Sequence, residues 1–270
     1  MIRLLQDKLL LGQYYPGDSP VHKLNALSKW IAALTYMVAL FVANNWLGWG
    51  GLALLAAFVA WLSHIPLKAL GRGLKGILVF AVITMLFNFF FYPGEALWQW
   101  RFLRLSREGI YYGLAMGLRL FLLVAFSSLL TLTSKPVALT DGMEKMLSPL
   151  RFIGVPAAEI AMTTSIALRF IPTILEEFDR IVLAQRARGG GLAQGNLWKR
   201  LASFVPLLVP LLISAFRRAE DLAQAMEAKC YQSGQKRSRW RQAPWRLPDT
   251  LTVVLMLAIL AVLIGGRIWG

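Results

Sequence analysis

Charged side chains are absent from long stretches of this 270-residue chain and crowded into others. From Trp30 to Leu67 there is no Asp, Glu, Lys or Arg. That run is too long for one membrane-spanning helix of about 20 residues and just long enough for two short ones. Asn44-Asn45 and the glycines Gly48, Gly50 and Gly51 mark the turn between them, flanked by Trp46 and Trp49 as interfacial anchors. The pattern predicts spans at about 28–44 and 46–64, a re-entrant pair being the other reading of the same run. A basic loop follows at Lys68, Arg72 and Lys75, then a third span at about 74–92 that ends in Phe89-Phe90-Phe91-Tyr92. The next connection carries Trp98, Trp100, Arg101, Arg104 and Arg107. A fourth span, about 109–133, is interrupted only by Arg119, and Lys135-Pro136 ends it. A last uncharged span occupies Thr250 to Gly266.

Between the fourth and last spans the periodicity changes. A short helix is expected near Leu139–Met146, then two long cationic segments, roughly Pro156 to Gly191 and Leu197 to Ser233, with apolar residues at three- and four-residue steps. Each ends in a small residue, a cation and a breaker or small residue: Ala187-Arg188-Gly189 and Ala228-Lys229-Cys230. Glycine stops the first, with arginines in its last turn where the helix C-terminus favours positive charge. As a straight rod, the helix from Ala157 to Arg188 would reach about 48 Å. Pro172, Pro206 and Pro210 lie inside the arms and predict kinks. The organisation is thus a membrane region at 1–134, two helical arms at 135–247 and a C-terminal span at 248–270. The cationic run Lys229 to Arg246, acid-free before Asp249, places the arms and the N-terminus on the cytoplasmic side. The 93–108 connection then falls outside despite its three arginines. The first 29 residues read as an interfacial lead-in.

Composition sharpens the reading. Hydrophobic residues are 57% and charged residues 16% of the chain, against about 45–50% apolar in soluble domains. There are 29 Lys+Arg and 14 Asp+Glu, a net charge of +15. Beside such apolar runs this points to cytoplasmic loops and anionic lipid rather than nucleic acid. One cysteine, Cys230, excludes an intrachain disulfide and a cysteine metal site. His22 and His64, the only histidines, have no carboxylate at ligand spacing. Gly190 to Asn196 has phosphate-loop glycine spacing without the Lys and Ser/Thr that such a loop needs, and it follows a helix, so it reads as a helix stop. No paired acids of the kind that hold Mg²⁺-diphosphate face a span. Glu220-Asp221 after Arg217-Arg218 reads as ion pairing on one helix surface. Arg119, the one charge deep in a span, is either a functional group or a cation packed against backbone carbonyls or a partner subunit. The tip arginine Arg188 is a fork of donors beside small neighbours that let a partner approach; the plainer reading is a positive-inside charge.

From Pro136 onward the chain resembles the transmembrane T component of energy-coupling factor (ECF) transporters. The resemblance is carried by Gly142-Met143-Glu144-Lys145-Met146-Leu147-Ser148-Pro149-Leu150, Gly154-Val155-Pro156, Glu159, Ala167-Leu168-Arg169-Phe170-Ile171-Pro172, Glu176, Ala184 to Gly189 and Ala225-Met226-Glu227-Ala228. It extends more weakly to Gly12–Lys29 and to Glu108-Gly109, Gly113, Gly117 and Arg119. It implies that two cytoplasmic helices cross and dock Ala-Arg-Gly tips into grooves on two ABC-type ATPases. Ala187, Arg188 and Gly189 match the first tip; Ala228, Lys229 and Cys230 stand at the second, with lysine for arginine and cysteine for glycine. Leu24 to Lys29 stands where the family often has Asp-Pro-Arg. ATP and Mg²⁺ would bind the partner ATPases and no cofactor this chain. A membrane-embedded substrate-binding S component would slide on the apolar face of the arms, at Leu207, Leu208, Leu211, Leu212 and Phe216. The cargo would be a vitamin or other micronutrient, cobalt and nickel included; the opening at Gly12–Gly17 resembles vitamin-type modules that several substrate subunits share.

The expected fold is all-α: a polytopic membrane protein with about five transmembrane helices and two long crossing coupling helices, in the bacterial cell membrane. The expected function is a non-catalytic transporter subunit. A membrane enzyme acting on lipid would want an acidic or histidine site in the spans, and an ordinary ABC permease a Glu-Ala-Ala loop between them; neither pattern is present.

Overall fold

The computed structural model describes residues 14–93, 96–100, 103–189, 197–232 and 244–269. They fall into two compact units, one within 13–146 and 241–270 and the other within 147–240. The helix expected near 139–146 clusters with the first of these rather than with the arms.

The first unit begins with a short helix, α1 (Pro20–Lys23), and the apolar helices α2 (Ala26–Val42) and α3 (Trp46–Leu62). Asn25 caps α2 by accepting from the Leu27 amide at 3.0 Å. Helix α4 runs unbroken from Leu67 to Phe91, so the expected basic loop at Lys68, Arg72 and Lys75 is instead the first turns of a helix. Lysine, arginine and leucine are good helix formers, and Pro66 sits ahead of the first turn rather than within it. The connection after α4 is a two-stranded antiparallel ribbon, β1 (Ala96–Trp100) and β2 (Leu103–Ser106), with Ala96 opposite Ser106 and Trp100 opposite Leu103. Ser106 ends the ribbon and caps α5 (Arg107–Leu132), its Oγ accepting from the Gly109 amide at 2.9 Å, with Glu108 in the first turn. Helices α6 (Pro136–Leu147) and α9 (Leu247–Trp269) complete the unit. Apart from the ribbon, the regular elements among the described residues are helices, as expected.

Helices Leu74–Phe91, Arg107–Leu132 and Leu247–Ile268 are long and apolar enough to cross a membrane, in register with three of the five expected spans. The other two expected spans are the 17-residue helices α2 and α3. The first arm, Ala157–Ala187, passes the same test of length and composition, although Glu176, Glu177, Asp179, Arg180 and Arg186 crowd its second half. This is a multi-pass membrane protein.

The core of the first unit forms where α2, α3, α5 and α9 meet, around Tyr36, Leu40, Leu52, Leu122, Phe126 and Met256. Tyr36 is fully buried, stacks on Phe126 with ring centroids 4.0 Å apart, and donates its hydroxyl to the Leu52 carbonyl at 3.0 Å. Helices α4 and α5 approach through a glycine face. A Cβ on Gly109 would lie 2.7 Å from the Asn88 carbonyl oxygen, and one on Gly113 2.6 Å from the Phe89 ring. Small residues at four-residue spacing let two membrane helices touch backbone to side chain, which replaces the hydrophobic drive that lipid does not supply. At the opposite end of α5, the buried Lys29 ammonium donates to the Thr133 carbonyl at 2.9 Å and to Ser134 Oγ at 3.1 Å, closing a helix C-terminus whose last carbonyls have no intrahelical donor.

Candidate functional site

The second unit holds the two arms, α7 (Ala157–Ala187) and α8 (Leu197–Ala228). Both run through their internal prolines as single helices. Pro210 has no N–H to give the Pro206 carbonyl four residues back, and Gln185 Nε2 of α7 donates to that carbonyl at 3.4 Å. Further along, Glu177 Oε2 accepts from Arg218 Nη2 at 2.8 Å and Nε at 3.2 Å, while its Oε1 accepts the Ser214 hydroxyl. The ion pair of Arg218 is therefore made across the arms, and not with the acids that follow it on its own helix. Residue 185 meets 206 and 177 meets 214, so the helices run antiparallel where they touch.

That register sends the two tips to opposite ends of the pair. Arg188 lies beside the first turns of α8, and Lys229 sits about 26 residues further along, or about 39 Å at the α-helical rise. Both tips are exposed on all three residues. They also share a backbone. Gly189 has φ +77° and Cys230 φ +53°, so the third residue of each tip is the left-handed stop of its helix. At the first, the Gly189 amide donates to the Arg186 carbonyl at 3.1 Å; at the second, Cys230 donates to Glu227 at 2.8 Å and Tyr231 to Met226 at 2.9 Å. Both patterns hold the preceding cation at the end of the last helical turn. A cysteine takes this conformation at a cost of about 1–2 kcal/mol that glycine does not carry.

The five apolar residues expected on one face of the second arm divide. Leu208, Leu212 and Phe216 are exposed, in a stripe with Val205, Val209 and Ile213, whereas Leu207 is 5% exposed and Leu211 half-buried. Residues 207 and 211 stand one position, about 100°, around the helix from 208 and 212, which separates an inward from an outward row. The outward row is a contiguous apolar surface of the kind that marks an interaction site.

Arg119, the expected intramembrane charge, donates from Nη2 to the Ala43 carbonyl at 3.4 Å and lies over the Phe41 and Trp49 rings at 5.5 and 5.8 Å. Its guanidinium thus sits at the C-terminal end of α2, where the helix dipole favours a cation. Its Nε is buried without a hydrogen-bond partner among the described residues. Among these residues no group of three or more His, Cys, Asp or Glu could hold a metal ion.

A match to the model of the CbiQ family, described as cobalt transport protein, covers residues 17–240, from the first short helix through both arms. The chain belongs to the CbiQ family. CbiQ-family relatives named energy-coupling factor transporter transmembrane protein EcfT match nearly end to end. The protein from Acidaminococcus fermentans is 47% identical over 97% of this chain and 97% of its own length. That from Thermanaerovibrio acidaminovorans is 48% identical over 93% and 94%, and that from Streptococcus thermophilus 39% over 94% and 96%.

Sequence reasoning missed one group in this CbiQ-family chain. Asp249, 1% exposed, accepts from the Asn25 amide at 2.7 Å, from Ser28 Oγ at 2.8 Å and from the Arg246 amide at 2.8 Å. The segment Leu24–Lys29, read above only as a departure from the family pattern, is thus where the start of α2 is tied to the start of α9. The available signal was Asp249 itself, a lone acid at the mouth of an apolar span.

Proposed function

We propose that this chain is the energy-coupling transmembrane subunit of an ECF transporter in the bacterial cell membrane. It links ATP hydrolysis by two partner ABC-type ATPases to the movement of a membrane-embedded substrate-binding subunit. The observation that carries the reading is the pair of tips: two exposed cations, each followed by a left-handed stop, at opposite ends of one antiparallel helix pair. Ends about 39 Å apart suit two separate ATPase grooves better than one. In this reading Arg188 and Lys229 insert into the ATPases, and closure of the ATPases on ATP shifts the tips. The Glu177–Arg218 pair keeps the arms in register as they move, because hydrogen-bonded helices move as rods. The exposed row Leu208, Leu212 and Phe216 carries the substrate-binding subunit. The chain itself catalyses nothing and binds no cofactor, ATP and Mg²⁺ staying on the ATPases. The family description names cobalt and the relatives' names an energy-coupling factor; the cargo class proposed here is a vitamin or other micronutrient, chosen by the substrate-binding subunit.

The test is co-purification of the detergent-solubilised chain with its ATPases, in wild-type, Arg188→Glu and Lys229→Glu forms. Each variant is expected to lose one ATPase and, in vesicles, uptake. An Arg188→Glu protein that retains both ATPases and transports normally would overturn the docking role.

A further inference from the structure

We propose that the end of the bundle where α2 gives way to α3 is a binding site for the phosphate headgroup of an anionic phospholipid. A cavity of about 390 Å³ opens there between the α2–α3 turn and the last turns of α9. Its polar rim is Asn44, Asn45 and Arg267, and its apolar wall includes Val42, Leu47 and Leu263. The Asn45 side chain makes no capping bond to α3, and none of the three rim side chains has a partner among the described residues. No carboxylate lines the cavity. A guanidinium and two amides with free N–H groups match a ligand rich in acceptor oxygens and negative in charge, not a cation.

Depth distinguishes a lipid from a soluble anion. Trp46 meets Trp49 and Tyr111 edge to face, with centroids 5.3 and 5.4 Å apart, and such aromatic clusters sit at the boundary between headgroups and acyl chains. Leu47, 90% exposed, and Val42 continue the cavity wall toward the bilayer interior. The site is polar toward water and apolar toward lipid, as a phospholipid is. The second cation, Arg119, reaches the carbonyl of Ala43, a residue of the same cavity wall, so the local field is positive without a compensating acid at the cavity.

The full chain is reconstituted in nanodiscs with equal phosphatidylglycerol and phosphatidylcholine, transferred to detergent, and the retained lipid is counted by native mass spectrometry. Wild type is expected to keep phosphatidylglycerol preferentially. Arg267→Gln and Asn45→Leu are each expected to retain ~5-fold less of it, the loss of one ionic or charge-assisted contact at a membrane surface. Lys68→Gln, which removes an exposed cation at the far end of α4, is expected to retain it as wild type does. Equal retention of both lipids, unchanged retention in Arg267→Gln, or an equal loss in Lys68→Gln would overturn the site. Inorganic phosphate that displaces the lipid at millimolar concentration and raises the thermal midpoint as much would reassign it to a soluble anion.

Discussion

Asp249 Oδ1 lies 2.8 Å from the Ser28 hydroxyl, across 221 residues of chain, and both side chains are buried. One carboxylate thereby receives two donors at the start of the first long helix and one at the start of the last. Hydrogen bonds to a charged acceptor contribute about 1.5–3 kcal/mol each, and donors left buried without an acceptor cost comparable amounts. Asp249→Ala is therefore expected to lower the thermal midpoint of the solubilised chain steeply, with a loss of about 3 kcal/mol or more. Ser28→Ala, which removes one donor and leaves the others served, is expected to lose about 1–2 kcal/mol. Equal midpoints for the two variants would show that Asp249 holds nothing beyond Ser28.

The glycines of α5 differ in what they touch, and substitution should rank them. A methyl at Gly109 meets a backbone oxygen at 2.7 Å, whereas at Gly117 it meets Met85 at an ordinary 3.6 Å. Gly109→Ala should cost about 1–3 kcal/mol through overpacking, and Gly117→Ala should be neutral or stabilising, since alanine favours a helix by about 1 kcal/mol over glycine. Thermal midpoints of the two variants decide it; the reverse order would mean that α4 and α5 do not meet on this face.

Arg119 is held by one long hydrogen bond and two ring faces, with its Nε unmatched. An apolar side chain of similar length should do as well, because removing a poorly paired buried charge is often neutral or stabilising. Arg119→Met is expected to stay within about 1 kcal/mol of wild type in stability. Arg119→Glu, which sets an anion against the carbonyl end of α2, is expected to be strongly destabilised. Wild-type stability in Arg119→Met together with lost uptake would give this arginine a functional part.

The left-handed residue at each tip sets opposite expectations. Cys230→Gly relieves backbone strain at φ +53° and is expected to stabilise the end of α8 by about 1 kcal/mol. Gly189→Ala meets no atom within 4 Å but must adopt φ +77°, so it is expected to fray the end of α7 by a similar amount. Amide exchange in residues 184–189 and 225–231 reads the two ends separately. Faster exchange around Cys230→Gly than in wild type would contradict the shared geometry.

The Glu177–Arg218 pair is 25% and 39% exposed on its two sides, so its contribution to stability should be small, about 0–1 kcal/mol. Glu177→Gln is expected to leave the thermal midpoint nearly unchanged while widening the distribution of distances between spin labels on the two arms. An unchanged distribution would show that apolar packing alone sets their register.

The amino-acid sequence alone determined the membrane class, the positions of the apolar helices and the two long arms. Each is a matter of local pattern: a charge-free run has few alternatives to a lipid-facing helix, and three- and four-residue apolar spacing fixes a face along one segment. The tips at Arg188 and Lys229 were legible for the same reason, being helix ends written as a cation followed by a breaker or small residue. The basic run after Pro66 was misread as a loop because charge marks solvent, not the end of a helix. Only the tertiary structure decided that Arg218 pairs with Glu177 rather than with its own neighbours, that Leu207 is buried where Leu208 beside it is exposed, and that Gly109 and Gly113 form a contact face. It also decided that Asp249 is shared by Asn25 and Ser28. Those relationships join residues tens to hundreds of positions apart, and they depend on which helix lies against which, a choice made by packing and hydrogen-bond satisfaction over the whole unit rather than by any one segment.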